Sequence, residues 1–223
     1  MAAKAEVFAR DEWRHSWQVV AASLAGITLC SSHGYTIGLM IAPLEEEFGW
    51  SRASISGGML IIAFVAVILA PLAGRMADRF GPRRVALIGV PLFCLAFGLL
   101  GTATSDIRTW WALWLLLAMG NMCILPTIWS AEINRRFDRN RGMALAFALC
   151  GTGLAAFLLP PIGTRLIEHF GWRGAYATLA LAGFLIVFPL TLLAFRSTRR
   201  APPRPRPTPP PPPSPPPPPS PPS

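Results

Sequence analysis

The sequence predicts an all-α polytopic membrane protein, six transmembrane helices in one bundle followed by a proline-rich tail. Two observations carry that expectation. Hydrophobic residues make up 52% of the 223 and charged residues only 14%, well below the quarter or so typical of soluble domains. The charges also gather in short clusters, separated by apolar stretches of about 20 residues, the length that crosses a hydrocarbon core of about 30 Å. Six such helices in succession would leave a soluble domain almost no polar face.

Residues 1–16 mix acids, bases and apolar residues and read as a short amphipathic lead-in. Glu6, Asp11 and Glu12 interrupt its charged region, and the apolar run after Trp17 is too long for a signal-peptide core, so no cleavable leader is expected. Spans then fall near Trp17–Met40, Ala53–Ala73, Val85–Thr104, Thr109–Ala131, Gly142–Gly163 and Gly174–Phe195. Short loops make successive helices antiparallel, so residues 17–196 form one bundle. The tail, residues 197–223, ends in "APPRPRPTPPPPPSPPPPPSPPS". Proline removes the amide donor and fixes φ, so an extended, solvated polyproline II segment is predicted there.

A net charge of +9 in a soluble protein would suggest nucleic acid. Here the arginines lie at span ends and no basic surface is interleaved with aromatics, so no nucleic-acid partner is expected. With the first segment placed inside, sixteen Lys and Arg fall on that side, in the lead-in, the 74–84 loop, residues 135–141 and the tail. Four, Arg52, Arg108, Arg165 and Arg173, fall on the other. The positive-inside rule then places both termini in the cytoplasm. The expected location is the plasma membrane, or the inner membrane of a bacterium, with the bilayer as a partner.

Cys30, Cys94, Cys123 and Cys150 all lie inside spans without a Cys-x-x-Cys pair, and no histidine stands at ligand spacing. They read as small buried hydrophobes; neither a metal nor a cofactor is expected. An intramembrane hydrolase fails on its inventory, because a Gly-x-Ser-Gly nucleophile is missing and the comparable glycines flank Thr152. The chain is not expected to be an enzyme.

Two stretches echo each other, "EFGWSRA" at 47–53 and "HFGWRGA" at 169–175. Gly49 and Gly171 suit helix ends, and Trp50 and Trp172 suit a membrane interface, where an amphipathic ring anchors at headgroup level. At the opposite end, "GRMADRFGPRR" packs Arg75, Arg79, Arg83 and Arg84 around Asp78, with Gly74 and Gly81 as spacers. Gly74 would let the helix end approach a neighbour, while Gly81 and Pro82 turn the chain. Glu132 ends the fourth span on the same side, within reach of Arg79 or Arg83. Arginine alone would set topology; an acid does nothing for it.

Gly74-x-x-x-Asp78-Arg79-x-Gly81-x-Arg83-Arg84 is similar, at every defined position, to the loop signature of the major facilitator superfamily between its second and third helices. The later "RNRGMALAFALCGTGLAAFLLPP" and "FGWRGAY" resemble the fourth-to-sixth helix region of its monocarboxylate and organic-anion branches. The resemblance covers roughly residues 15–196 and implies half of a major facilitator fold. It implies a secondary transporter of small solutes, organic anions among them, that works by alternating access. It also implies that the loop, with Asp78 at its centre and Glu132 nearby, is a conformational latch. Members have two six-helix halves around a central site; this sequence shows one. A truncated or frame-shifted product, a half-size subunit that pairs with a copy or a complementary half, and a retained non-transporting scaffold all fit. The tail's composition favours the first.

Polar groups inside spans are costly and are usually paired or functional. The family's first and fourth helices line its cavity, which makes His33, Tyr35, Asn121 and Trp129 the candidates for solute contact. For Asn121 and the hydroxyls, interhelical hydrogen bonding is the plainer alternative. His33 could carry a proton or make a structural bond. Gly151 and Gly153 read as packing glycines.

Overall fold

The computed structural model describes residues 2–138 and 140–196; the tail lies outside the described residues. Everything regular in them is helical: α1 (Ala2–Phe48), α2 (Arg52–Phe80), α3 (Pro82–Leu99), α4 (Ile107–Met122), α5 (Pro126–Arg136) and α6 (Arg141–Arg196), with a 3-10 turn at Leu100–Thr102. Six membrane-length rods result, though not by simple counting. α6 has non-helical backbone at Gly171 (φ 68°, ψ 172°), which divides it into a first limb, 141–170, and a second limb, 172–196. α4 and α5 together make one span of 30 residues, Ile107–Arg136.

Local chemistry explains the ends. Gly49, Gly81 and Gly171 all have positive φ, at 69°, 83° and 68°, a region that side chains with a Cβ avoid. Ser51 caps α2 by accepting from the Ser54 amide, and Asp106 caps α4 by accepting from the Arg108 amide at 2.9 Å. Pro82 and Pro126 open α3 and α5, where a missing N–H costs nothing. The lead-in is continuous with the first span, so α1 runs for 47 residues, about 70 Å at 1.5 Å per residue.

Two expectations about the spans are corrected. The fourth is broken at Cys123–Leu125, because Pro126 cannot donate to a carbonyl four residues earlier. The fifth does not stop near Gly163. That glycine is buried inside the helix, and a Cβ there would press on Leu39 of α1.

Packing depends on such close approaches. α1 lies chiefly against α6, α3 against α6, and α2 against α4. Trp129 lies flat where Gly26 leaves room, Trp114 does the same at Gly58, and a Cβ on Gly151 would strike the Leu24 carbonyl. Gly153 differs, since a side chain there would meet open space. The core is aromatic and aliphatic, with Trp110, Trp114, Trp129 and Tyr176 fully buried. Outside it, large apolar residues stand exposed on α2 (Leu60, Phe64, Val67, Ile68), on the first limb (Phe147, Phe157) and on the second (Leu181, Leu185, Ile186). Water would not tolerate so much of this surface; hydrocarbon does. Cys30 and Cys94 are buried as expected, whereas Cys123 is half-buried and Cys150 is exposed among these outward-facing residues.

Candidate functional site

The loop motif sits at the arginine-rich end of the bundle, where α2 ends and α3 begins. Gly81 makes the turn, and Arg135 from the end of α5 approaches it. Arg75 donates from Nε to the Pro71 carbonyl at 3.3 Å, and the Arg79 guanidinium lies over the Phe80 ring. Asp78 is exposed and forms no ion pair among the described residues. With Arg75, Arg79, Leu72, Met76 and Phe80 it lines a shallow depression on the outer flank of α2. The close approach expected at Gly74 is not made within this chain, since a side chain there would meet open space.

Glu132 is buried, and its partner is neither Arg79 nor Arg83. Arg136, one turn on, donates Nε–H to Glu132 Oε1 at 3.0 Å and reaches the Ala194 carbonyl at 3.4 Å through Nη2. The pair therefore ties α5 to the second limb of α6.

The four solute-contact candidates do not converge. Trp129 is fully buried against Gly26, its indole N–H donating to the Ile124 carbonyl at 3.0 Å. Asn121 is buried and accepts from the Cys30 thiol at 3.3 Å. His33 turns into the bundle, edge-on to Phe93 and Trp114. Tyr35 is half-buried, and two residues along a helix place it about 200° from His33.

Tyr35 instead shares a face with Ser31 and Thr28, at the i, i+3, i+7 spacing of one helical stripe. These three residues are half-buried while their neighbours Leu29, Cys30 and Ser32 are buried. The Thr28 hydroxyl lies 2.8 Å from the Leu24 carbonyl and 3.0 Å from that of Gly151. Ser31 Oγ lies 3.4 Å from Thr152 Oγ1 on the first limb. A polar seam thus crosses an otherwise apolar open face at mid-span. The Thr28, Ser31, Tyr35 spacing was the available signal for it.

At the opposite, tryptophan-rich end, the two echoing stretches are joined in space. Arg173 donates to the carbonyls of Gly101 (3.0 Å) and Ala103 (2.9 Å) and to Glu47 (2.7 Å), and its guanidinium stacks on Trp172. Trp172 also donates to Glu47, and Trp50 donates to the Ser105 carbonyl. Glu47 lies past the apolar stretch of α1. The Arg173 and Trp172 donors hold its carboxyl below its ordinary range.

Membrane-length apolar rods, an apolar exterior and one polar-seamed face define a multi-pass membrane protein built as a helical bundle. Residues 22–221 match the Major Facilitator Superfamily, and the chain belongs to that family. It is 30% identical over 193 residues to monocarboxylate transporter 11 of Mus musculus, covering 84% of this chain and 42% of that protein. It is 29% identical over 160 residues to monocarboxylate transporter 11 of Homo sapiens, covering 71% and 34%. Monocarboxylate transporter 12 of Mus musculus is 27% identical over 172 residues, covering 76% and 34%. The chain thus spans between a third and a little over two-fifths of the length of these relatives.

Proposed function

We propose that this chain forms one wall of a secondary transporter for small organic anions, of the monocarboxylate kind its relatives' names describe. The observation that carries the reading is the polar seam of Thr28, Ser31, Tyr35 and Thr152 on an open face. The Thr28, Ser31 and Thr152 hydroxyls already bond the Leu24 and Gly151 carbonyls or one another, and their remaining acceptor sites can be met by a solute and a facing bundle but not by lipid. Alternating access then works by rocking a second six-helix body against this one. That body is either a complementary half or a second copy.

The arginine-rich end faces the cytoplasm of a plasma membrane, and the 74–84 loop is the latch there. Open space at Gly74, and an Asp78 with no ion pair among the described residues, support a latch that closes on the facing body. No catalytic step belongs to this reading; solute is bound, enclosed and released unchanged.

The test joins this chain to the second half of a relative and measures uptake of a panel of monocarboxylates. Thr152→Val and Tyr35→Phe are expected to raise KM severalfold. Uptake with unchanged KM in both variants would remove the seam from the solute path. No saturable uptake of any solute would favour the alternative reading, a non-transporting membrane scaffold.

A further inference from the structure

Met76 and Phe80 at the end of α2 face Arg84, Val85 and Ile88 at the start of α3 across a groove of about 190 Å³, which Cys123 also lines. Every lining residue but Arg84 is apolar. The groove is firmly backed, because Gly89 of α3 packs so closely on Cys123 that a Cβ there would strike its carbonyl. Arg84 and Ile88 are both exposed and stand one turn apart on α3. About 6 Å of helix rise therefore leads from a guanidinium at the span end into the apolar stretch.

The charges around the groove are not balanced. Arg84 forms no ion pair among the described residues. The Arg79 guanidinium lies 5.5 Å from the centroid of the Phe80 ring, so a second cation borders the groove. Asp78 cannot neutralise them from within it. Two residues from both Met76 and Phe80, Asp78 is turned about 160° away from each round α2, and it lines the depression on the other flank. Glu132, the buried acid at this end, is held by Arg136.

An occupant must be apolar along its length, anionic at one end and slender. A helix does not fit, since a single turn about 10 Å wide and 5.4 Å tall encloses about 420 Å³. We propose that the groove seats one acyl chain of an anionic phospholipid from the leaflet at the arginine-rich end, with its phosphate on Arg84 and Arg79. Guanidinium groups bind phosphate oxygens two at a time, and a basic residue beside an anionic lipid is worth about a fivefold preference. A zwitterionic lipid carries its own ammonium and forfeits that preference. The lipid sits on the outside of the bundle, whatever solute is carried.

The full chain in detergent, offered equal amounts of dioleoyl phosphatidylglycerol and dioleoyl phosphatidylcholine, tests this by native mass spectrometry of the lipid retained. Phosphatidylglycerol should be retained severalfold over phosphatidylcholine, and Arg84→Gln should cut that preference about fivefold. Ile88→Trp, which fills the groove, should lower retention of both lipids. Arg84 and Ile88 are exposed, so neither change disturbs the core. Arg108→Gln, at the opposite end, should leave retention as it was. Unchanged preference in Arg84→Gln, or an equal loss in Arg108→Gln, overturns the proposal. A phosphatidylglycerol with a photoreactive acyl chain, in nanodiscs of one part to four of phosphatidylcholine, locates the site. Adducts should fall on residues 76–88. Adducts confined to other helices, or crosslinks from Ile88→Cys to a second copy with no lipid adduct there, overturn it.

Discussion

Arg173 does more structural work than any other single side chain at the tryptophan-rich end, because one planar group holds two backbone carbonyls and a carboxylate. Lysine cannot span those acceptors. Arg173→Lys is expected to destabilise the bundle by about 2 kcal/mol, read as a lower unfolding midpoint in detergent. Glu47 is about as exposed as Arg173 but supplies a screened ion pair, so its contribution is smaller, under about 1 kcal/mol, and it depends on pH. Its carboxyl is depressed in the fold, so its stabilisation is present above the ordinary carboxylate range and is lost as pH falls through the lower, folded value. Glu47→Gln should therefore lower the midpoint at pH 7, and the gap should close on acidification; a gap that widens would refute the assignment. Buried Glu132 is a different case. Its carboxylate is one side of a buried ion pair that ties α5 to the second limb, and Glu132→Ala should cost about 3 kcal/mol. None of these partners was legible in the sequence. Glu132 was expected to reach Arg79 or Arg83, whereas the helix brings Arg136 to it at i, i+4 spacing.

Elements were easier to read than contacts, and glycine shows why. Gly49, Gly81 and Gly171 mark helix ends because each is followed by a Trp or a Pro at a charge cluster, and all three have positive φ. Gly163 and Gly26 look the same in composition but serve packing, a role set by a neighbouring helix that local pattern does not reveal. The two kinds should respond differently to substitution. Gly171→Ala costs about 1 kcal/mol through backbone strain, and no second mutation nearby should relieve it. Gly26→Ala overlaps Trp129 and should cost about 2–3 kcal/mol, with partial relief from Trp129→Leu. Equal behaviour of the two variants would undo the distinction. The same limit explains the solute-contact candidates. Polar residues in α1 and the α4–α5 span were visible, but His33, Asn121 and Trp129 point inward, and only helical phase separates them from Tyr35.

At the scale of the whole molecule, six rods were legible because apolar length is a direct physical requirement of the bilayer. The proposed orientation is open to a direct test: single cysteines at Ser105 and Ser197, in a background without the native four, should be labelled by an impermeant reagent from outside only at Ser105. The reverse pattern would overturn the topology. On the proposed reading, a facing body covers the polar seam, the open space at Gly74 and Gly153, and Asp78, which forms no ion pair among the described residues. In a version that supplies one, Asp78→Asn should impair transport strongly, whereas in this chain alone it should change stability by about 1 kcal/mol or less. The most direct measurement is uptake by this 223-residue chain in liposomes, at protein dilutions where crosslinking shows it to be monomeric. The account predicts no saturable uptake of any monocarboxylate by the monomer, and uptake only when a second copy or a complementary half is present. Saturable uptake by a demonstrated monomer would contradict it.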